Sequence, residues 1–252
     1  MNSVETSIPR STSTSTSFSI RKCRKVIITG GVAVGKSSIV NVVCEELTKK
    51  GKKWILVPEY LDVKEDGLEM LNKYFENKIS VYEFQTYILN YYEWYLKNVK
   101  VSDDDIIIFE RSIDDGITCF SNADNARGKL SISEFHALFE KAKQLDEKYN
   151  IPSYILKNDF IFIPIKTVDI QRDGKLITEI INNREGENII IGLYNTDDRC
   201  YERMCVRNRE GETSSYTKQS ISEFNYHYKQ LYKELMDRDG EMRFVSLGKM
   251  IK

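Results

Sequence analysis

The apolar positions of the chain fall into two kinds of pattern. The first is a set of short continuous runs: Val26-Ile27-Ile28-Thr29, Trp54-Ile55-Leu56-Val57, Ile106-Ile107-Ile108-Phe109, Ile189-Ile190-Ile191-Gly192-Leu193 and Phe244-Val245-Ser246-Leu247. Runs without polar alternation suit strands covered on both faces, as in a parallel sheet between helices. The second kind has helical spacing. Val81, Phe84, Ile88, Tyr91 and Tyr95 form one such stripe, and a helix is expected from Ser37 to Lys49. Ser131 and Glu134 make a capping-box pattern before Phe135, Leu138, Phe139, Ala142 and Leu145. Ser220 and Glu223 repeat it before Phe224, Tyr228, Leu231 and Leu235. The tyrosines on these stripes read as core or subunit-interface residues. Strands alternating with helices predict an α/β fold with a five-stranded parallel sheet flanked by helices.

Residues 158–187 break the alternation. Phe160–Ile165 leads into Arg172-Asp173-Gly174-Lys175, and Leu176–Ile181 leads out. An Asp-Gly pair between apolar runs is a hairpin signal, so this segment is expected to be an inserted β-hairpin on one compact domain.

Composition adds boundaries. The alternating Ser/Thr tract at residues 11–17 cannot bury apolar surface. Residues 1–24 are therefore expected to be a disordered tail, ahead of one domain at 25–252. The tail is serine-rich, carries arginines and holds one acid, Glu5, which also fits an organelle transit peptide, although its apolar face is thin. A cytoplasmic location is the expectation, with a mitochondrial one as the alternative. Lys plus Arg number 37 and Asp plus Glu 38, a net charge of −1, which excludes the basic excess of a general nucleic-acid binder. No apolar run approaches the roughly 20 residues of a membrane span. The five cysteines show no metal-ligand spacing and read as reduced thiols.

The chemistry begins at Gly30-Gly31-Val32-Ala33-Val34-Gly35-Lys36-Ser37, which fits G-x-x-x-x-G-K-[ST] between an expected strand and an expected helix. Gly30 and Gly35 let the backbone fold around phosphate oxygens, and the helix N-terminus adds partial positive charge. Lys36 is expected to reach the β- and γ-phosphates of ATP, and Ser37 to ligate Mg²⁺; Ser38 follows within the same site. The motif alone marks a nucleotide site.

Three further clusters follow strands, where a doubly wound sheet places its ligands. Glu59 follows the second strand, Glu110-Arg111-Ser112 the third, and Tyr201-Glu202-Arg203 through Arg207, Arg209 and Glu212 the fourth. A carboxylate such as Glu59 can take the proton of an acceptor hydroxyl. Arg111, Arg203, Arg207 and Arg209 can surround a moving phosphoryl group with positive charge, the last three on a closing lid at 201–215. Singly, each cluster could be a capped turn, an ion pair or a solvated helix face; at successive strand ends beside a phosphate loop, they point to phosphoryl transfer.

These residues resemble the deoxynucleoside kinase family of deoxycytidine, deoxyguanosine, mitochondrial thymidine and insect multisubstrate kinases. The resemblance runs from residue 25 to about 236 and implies a P-loop kinase fold and a homodimer. It implies transfer of the γ-phosphate of ATP, with Mg²⁺, to the 5′-hydroxyl of a deoxynucleoside in nucleotide salvage. It makes Glu59 the base for that hydroxyl, Glu110 a second Mg²⁺ holder and Arg111 a bridge between the 5′-oxygen and phosphate. It makes Gln85, in Phe84-Gln85-Thr86-Tyr87, the reader of the base edge. Tyr74 and Glu212 become partners of the 3′-hydroxyl, and Phe120 an aromatic beside sugar and base. Two departures bear on specificity. The loop Tyr60-Leu61-Asp62-Val63-Lys64 lacks the family's tryptophan, and Gly116 and Tyr92 stand where purine-accepting members carry an aspartate and an arginine. The absence of that aspartate and arginine implies a mild preference for pyrimidines. The alternatives are a thymidylate-type nucleoside monophosphate kinase, which the carboxylate at the acceptor end opposes, and a non-catalytic nucleotide-binding protein.

Overall fold

The computed structural model describes residues 20–156, 160–209, 212 and 216–238. Five strands, β1 (Arg24–Gly30), β2 (Trp54–Val57), β3 (Ile106–Glu110), β4 (Ile161–Lys166) and β5 (Ile189–Tyr194), form one sheet in the order β2-β3-β1-β5-β4. Every neighbouring pair is parallel.

Alternate residues of the apolar runs feed opposite cores. Ile27, Ile107, Phe109 and Ile190 face one layer, packed by α3 (Val81–Asn98), α5 (Ile132–Tyr149) and α8 (Lys218–Arg238). Val26, Ile28, Ile106, Ile108, Ile189 and Ile191 face the other, packed by α1 (Lys36–Lys49) and α6 (Ile170–Asn183). That division is why the runs carry no polar alternation. β2 is an edge strand, and its Trp54, Ile55 and Leu56 are only partly buried. Shorter elements complete the chain: a 3₁₀ turn at Tyr60–Asp62, α2 (Gly67–Phe75), a π-helical turn at Gly116–Ser121, α4 (Asn122–Ala126) and α7 (Asp197–Arg207).

The expected hairpin at 158–187 is not formed. Its first half is β4, a parallel edge strand, where Pro164 costs no essential ladder bond. Its second half is α6, started by the Asp169 side chain accepting from the Arg172 N–H at 2.8 Å. Asp173-Gly174 lies inside that helix. Asp173 accepts from the backbone N–H groups of Val168 (2.7 Å) and Asp169 (3.0 Å). Gly174 is where α6 presses on α1: a Cβ there would lie 2.5 Å from Val42 Cγ1. The glycine serves close packing of two helices, not a turn. Gly174→Ala is accordingly expected to lower stability by about 1–3 kcal/mol, despite alanine's better helix propensity. Thermal unfolding checks this, and an unchanged or raised midpoint would contradict the close approach.

Other boundaries shift. The fifth strand of the sheet is β4; the run Phe244–Leu247 lies outside the described residues. Ile20 is fully buried in the core and Arg21 Nη1 donates to the Glu147 carbonyl at 2.7 Å, so the folded domain reaches back past residue 25. The capping box at Ser131/Glu134 is present, and Ser80/Glu83 form a second one at the start of α3. Ser220/Glu223 do not form one. α8 starts at Lys218 with the Thr217 hydroxyl accepting from the Ser220 N–H at 3.1 Å, while Glu223 pairs with Arg127.

Candidate active site

The carboxyl ends of β1, β2 and β3 open into one cleft of about 750 Å³. Lys36, Ser37, Ser38, Gly35, Glu59, Tyr74, Gln85, Arg111, Phe120, Arg203, Arg207, Arg209 and Glu212 all line it. Of the residues singled out from the sequence, Gly30 and Glu110 do not line it, but each accepts a hydrogen bond from a residue that does, Lys36 and Ser37 respectively.

The loop from Gly30 to Ser37 turns directly from β1 into α1. Gly35 is the residue before the helix and has φ of 107°, a left-handed conformation that a side chain would strain. Gly30 passes so close to β5 that a Cβ would lie 2.4 Å from the Leu193 carbonyl oxygen. Lys36 folds back over this loop, and its Nζ donates to the carbonyls of Gly30 (3.1 Å) and Gly31 (3.0 Å). The same nitrogen lies 3.9 Å from Glu59 Oε1. Ser37 Oγ donates to Glu110 Oε1 at 2.6 Å.

Arg111 is the hub. It follows β3 with φ of 80°, rare for a side-chain-bearing residue and typical of functional sites. Its Nε donates to Glu59 Oε1, and its Nη1 donates to the Gly30 carbonyl and the Tyr228 hydroxyl, both at 3.1 Å. Its guanidinium lies over the Phe120 ring at 5.3 Å. Beneath it, buried Asp115 accepts from Thr29 Oγ1, from the Ser112 N–H at 3.3 Å and from the Tyr154 hydroxyl at 3.3 Å. That carboxylate ties the π-helical turn to the end of β1.

The charges act on one another. Burial alone would raise the Glu59 carboxyl, but Arg111 and then Lys36 outweigh it and hold the group well below the ordinary carboxylate range. Burial, with Arg111 nearby, lowers Lys36; Glu59 and Glu110 oppose that. Burial and Glu59 raise Glu110, which the Ser37 hydrogen bond counters. Glu59 is therefore ionised at neutral pH, and the acid limb of kcat/KM that reports it is expected below about pH 4, under the usual carboxylate value. The sign for stability is the same: the depressed carboxyl contributes above about pH 4 and its contribution fades as pH falls through its folded value. A pH profile with its acid limb near neutrality would contradict the Arg111 pairing.

The arginines divide their work. Arg203 Nη1 donates to the Val34 carbonyl at 2.8 Å and so braces the phosphate loop. Arg207 and Arg209 pair with buried Glu212 at 2.5 and 3.5 Å. The segment expected to act as a lid, 201–215, begins on α7; residues 210, 211 and 213–215 lie outside the described residues. At the other end of the cleft Gln85 is almost fully buried, and a Cβ on Gly116 would come within 2.6 Å of its Oε1. The Tyr74 hydroxyl donates to Asp124 Oδ2 at 3.0 Å.

Several site residues were not singled out from the sequence. Tyr60, Asp62, Arg199 and Tyr216 also line the cleft, and Tyr228 reaches Arg111 from α8. Tyr60 was within reach of the strand-end rule that found Glu59. Tyr228 and Asp124 were not, since nothing local separates them from core or surface positions.

Mg²⁺ is tested by the donors present. Ser37 and Glu110 offer two hard oxygens in contact, and among the described residues no three His, Cys, Asp or Glu side chains converge to cage an ion. Two oxygens suit a cation that takes its other ligands from phosphates and water.

A family model for deoxynucleoside kinases matches residues 26–172, more than half of the 252 residues. No curated protein sequence matches the chain. Among solved structures, a deoxyadenosine kinase from M. mycoides with bound dATP is similar at 19% identity, with 84% of each chain covered and a TM-score of 0.48.

Proposed function

The chain belongs to the deoxynucleoside kinase family, and from its site we propose that it transfers the γ-phosphate of ATP to the 5′-hydroxyl of a deoxynucleoside in nucleotide salvage. One observation carries the reading. Glu59, at the end of β2, is paired with Arg111 and lies beside Lys36 at 3.9 Å, facing the phosphate loop. A proton acceptor, a guanidinium and the phosphate-loop lysine thus meet at one point, which transfer to a hydroxyl requires.

In this reading the loop amides and Lys36 hold the β- and γ-phosphates. Arg111 turns from Glu59 toward the space between acceptor oxygen and phosphate, with Arg207 and Arg209 closing from the other side. Mg²⁺, held by Ser37 and Glu110 when bound, neutralises phosphate charge. Glu59 accepts the proton as the hydroxyl attacks. Its strongly ionised state makes it a modest base, which suffices because phosphoryl transfer is largely dissociative and needs the proton moved late. Gln85 reads the base edge, Phe120 packs beside the sugar, and Tyr74 with Glu212 engage the 3′-hydroxyl. A homodimer is part of the reading, as the family resemblance implies.

The preference leans to pyrimidines. Gln85 fills the space over Gly116, and buried Tyr92, on the same helix, stands where the resemblance gives purine-accepting members an arginine. A coupled assay with ATP and Mg²⁺ should show thymidine or deoxycytidine favoured over both purine deoxynucleosides by about tenfold or more in kcat/KM. Equal or better purine turnover would overturn the lean alone. Turnover confined to thymidine monophosphate would replace the whole reading with a monophosphate kinase, although the Glu59 carboxylate should repel an acceptor phosphate.

A further inference from the structure

Tyr74 lines the cleft, but the hydrogen of its hydroxyl is already committed, since it donates to Asp124 Oδ2 at 3.0 Å. Its ring is fixed too, stacked on Phe84 with centroids 4.6 Å apart and planes within 9°. Asp124 sits on α4 with its side chain 1% exposed. Among the described residues Asp124 Oδ1 has no hydrogen-bond donor, and its nearby cation is Arg127 at 3.6 Å. Arg127 is held elsewhere, paired with Glu223 and lying over Phe224. Among the described residues Tyr74 is thus the one side-chain hydroxyl that satisfies this buried carboxylate.

A phenol has a single hydrogen. With it directed at Asp124, the Tyr74 oxygen turns only lone pairs to the cleft. Burial and the neighbouring carboxylate push the phenol upward, so it keeps that hydrogen at neutral pH. Glu212, which also lines the cleft, is a carboxylate fixed by Arg207 and Arg209, and it too can only accept. The two groups proposed to meet the sugar edge therefore have the same hydrogen-bond polarity.

We propose that Asp124 is a positioning residue that fixes Tyr74 as a hydrogen-bond acceptor, so that the site reads the sugar's 3′ substituent by the number of hydrogens it can donate. The proposal deepens the function given above and rests on it. A 3′-hydroxyl brings one hydrogen to two acceptors. A 3′-amino group brings at least two and satisfies both. Without an acceptor at position 124 the phenol hydrogen is released into the cleft, Tyr74 can donate to a 3′-oxygen, and the advantage of the amine goes.

The test compares KM for a 2′-deoxynucleoside and its 3′-amino-2′,3′-dideoxy counterpart. Wild type is expected to favour the amine by about tenfold, with kcat similar for the two. Asp124→Leu, with Asp124→Ala as a second variant should the leucine fail to fold, is expected to bring the ratio to within about twofold. Asp124→Asn keeps an acceptor while removing the charge, so it should retain most of the preference. Loss of the preference in Asp124→Asn would show that charge attracts the amine, and would overturn the proposal. So would a wild-type ratio near one, or an unchanged ratio in Asp124→Leu. Wild-type turnover of the 3′-hydroxy substrate secures the kinase reading in the same run; no turnover of any nucleoside would remove that reading and this one together.

Discussion

Glu59→Gln is expected to lower kcat for nucleoside phosphorylation by about 10²–10⁴-fold, the usual contribution of a positioned general base, with KM for ATP changed little. Glutamine keeps the shape of the side chain and an oxygen that can still accept from Arg111 Nε, so the local geometry should survive. What it loses is the charge and the ability to take a proton. Loss of a negative charge 3.9 Å from Lys36 also removes an influence that keeps that lysine protonated. ATP binding in the variant should therefore weaken at lower pH than in wild type, a second signature of the same pairing. A steady-state comparison of kcat and KM against pH reads both. A variant with wild-type kcat would mean that Glu59 only anchors Arg111.

Arg111→Met should be at least as damaging, with kcat down by about 10³-fold or more, because it removes positive charge from the transferring phosphoryl group. The physical consequences extend beyond that charge. Arg111 links β3, the Gly30 carbonyl, Tyr228 and Glu59 through one guanidinium. Its removal strips Glu59 of the strongest influence that opposes burial, so that carboxyl should climb toward or above the ordinary value of about 4.3. The residual activity of the variant should then show an acid limb shifted upward relative to wild type. Arg111→Lys restores charge but not the fork that holds Glu59, the Gly30 carbonyl and Tyr228 at once, and should recover only part of the rate. An acid limb that stays in place in Arg111→Met would show that the two side chains do not interact in solution.

Which parts of this site were legible depends on how local their signals are. The phosphate loop is a contiguous strand–loop–helix unit, and its structure follows the spacing. Glu59 and Glu110-Arg111 were reachable because strand ends in a parallel sheet face one edge, so three separate stretches of sequence converge without any pairing being known. The hairpin failed for the converse reason. Asp173-Gly174 carries a strong turn signal, but the glycine is there to meet Val42 on a helix some 130 residues earlier in the chain, a contact that no local pattern reveals. The isoleucines of α6 favour strands as readily as a buried helix face. Glu223 was read as a cap, yet it pairs with Arg127, a partner 96 residues away. Tyr74 was found through the family resemblance, while Asp124, which decides where its hydrogen points, is separated from it by 50 residues and sits on a five-residue helix.

The central claim is that the acceptor is the 5′-hydroxyl of a deoxynucleoside, activated beside Glu59. The most direct measurement is to incubate the protein with ATP, Mg²⁺ and thymidine or deoxycytidine, and to locate the phosphate on the product by ³¹P–¹H correlation. The account predicts the nucleoside 5′-monophosphate, formed rapidly by wild type and lost in Glu59→Gln. A product phosphorylated elsewhere, or nucleoside turnover that survives the substitution, would contradict it.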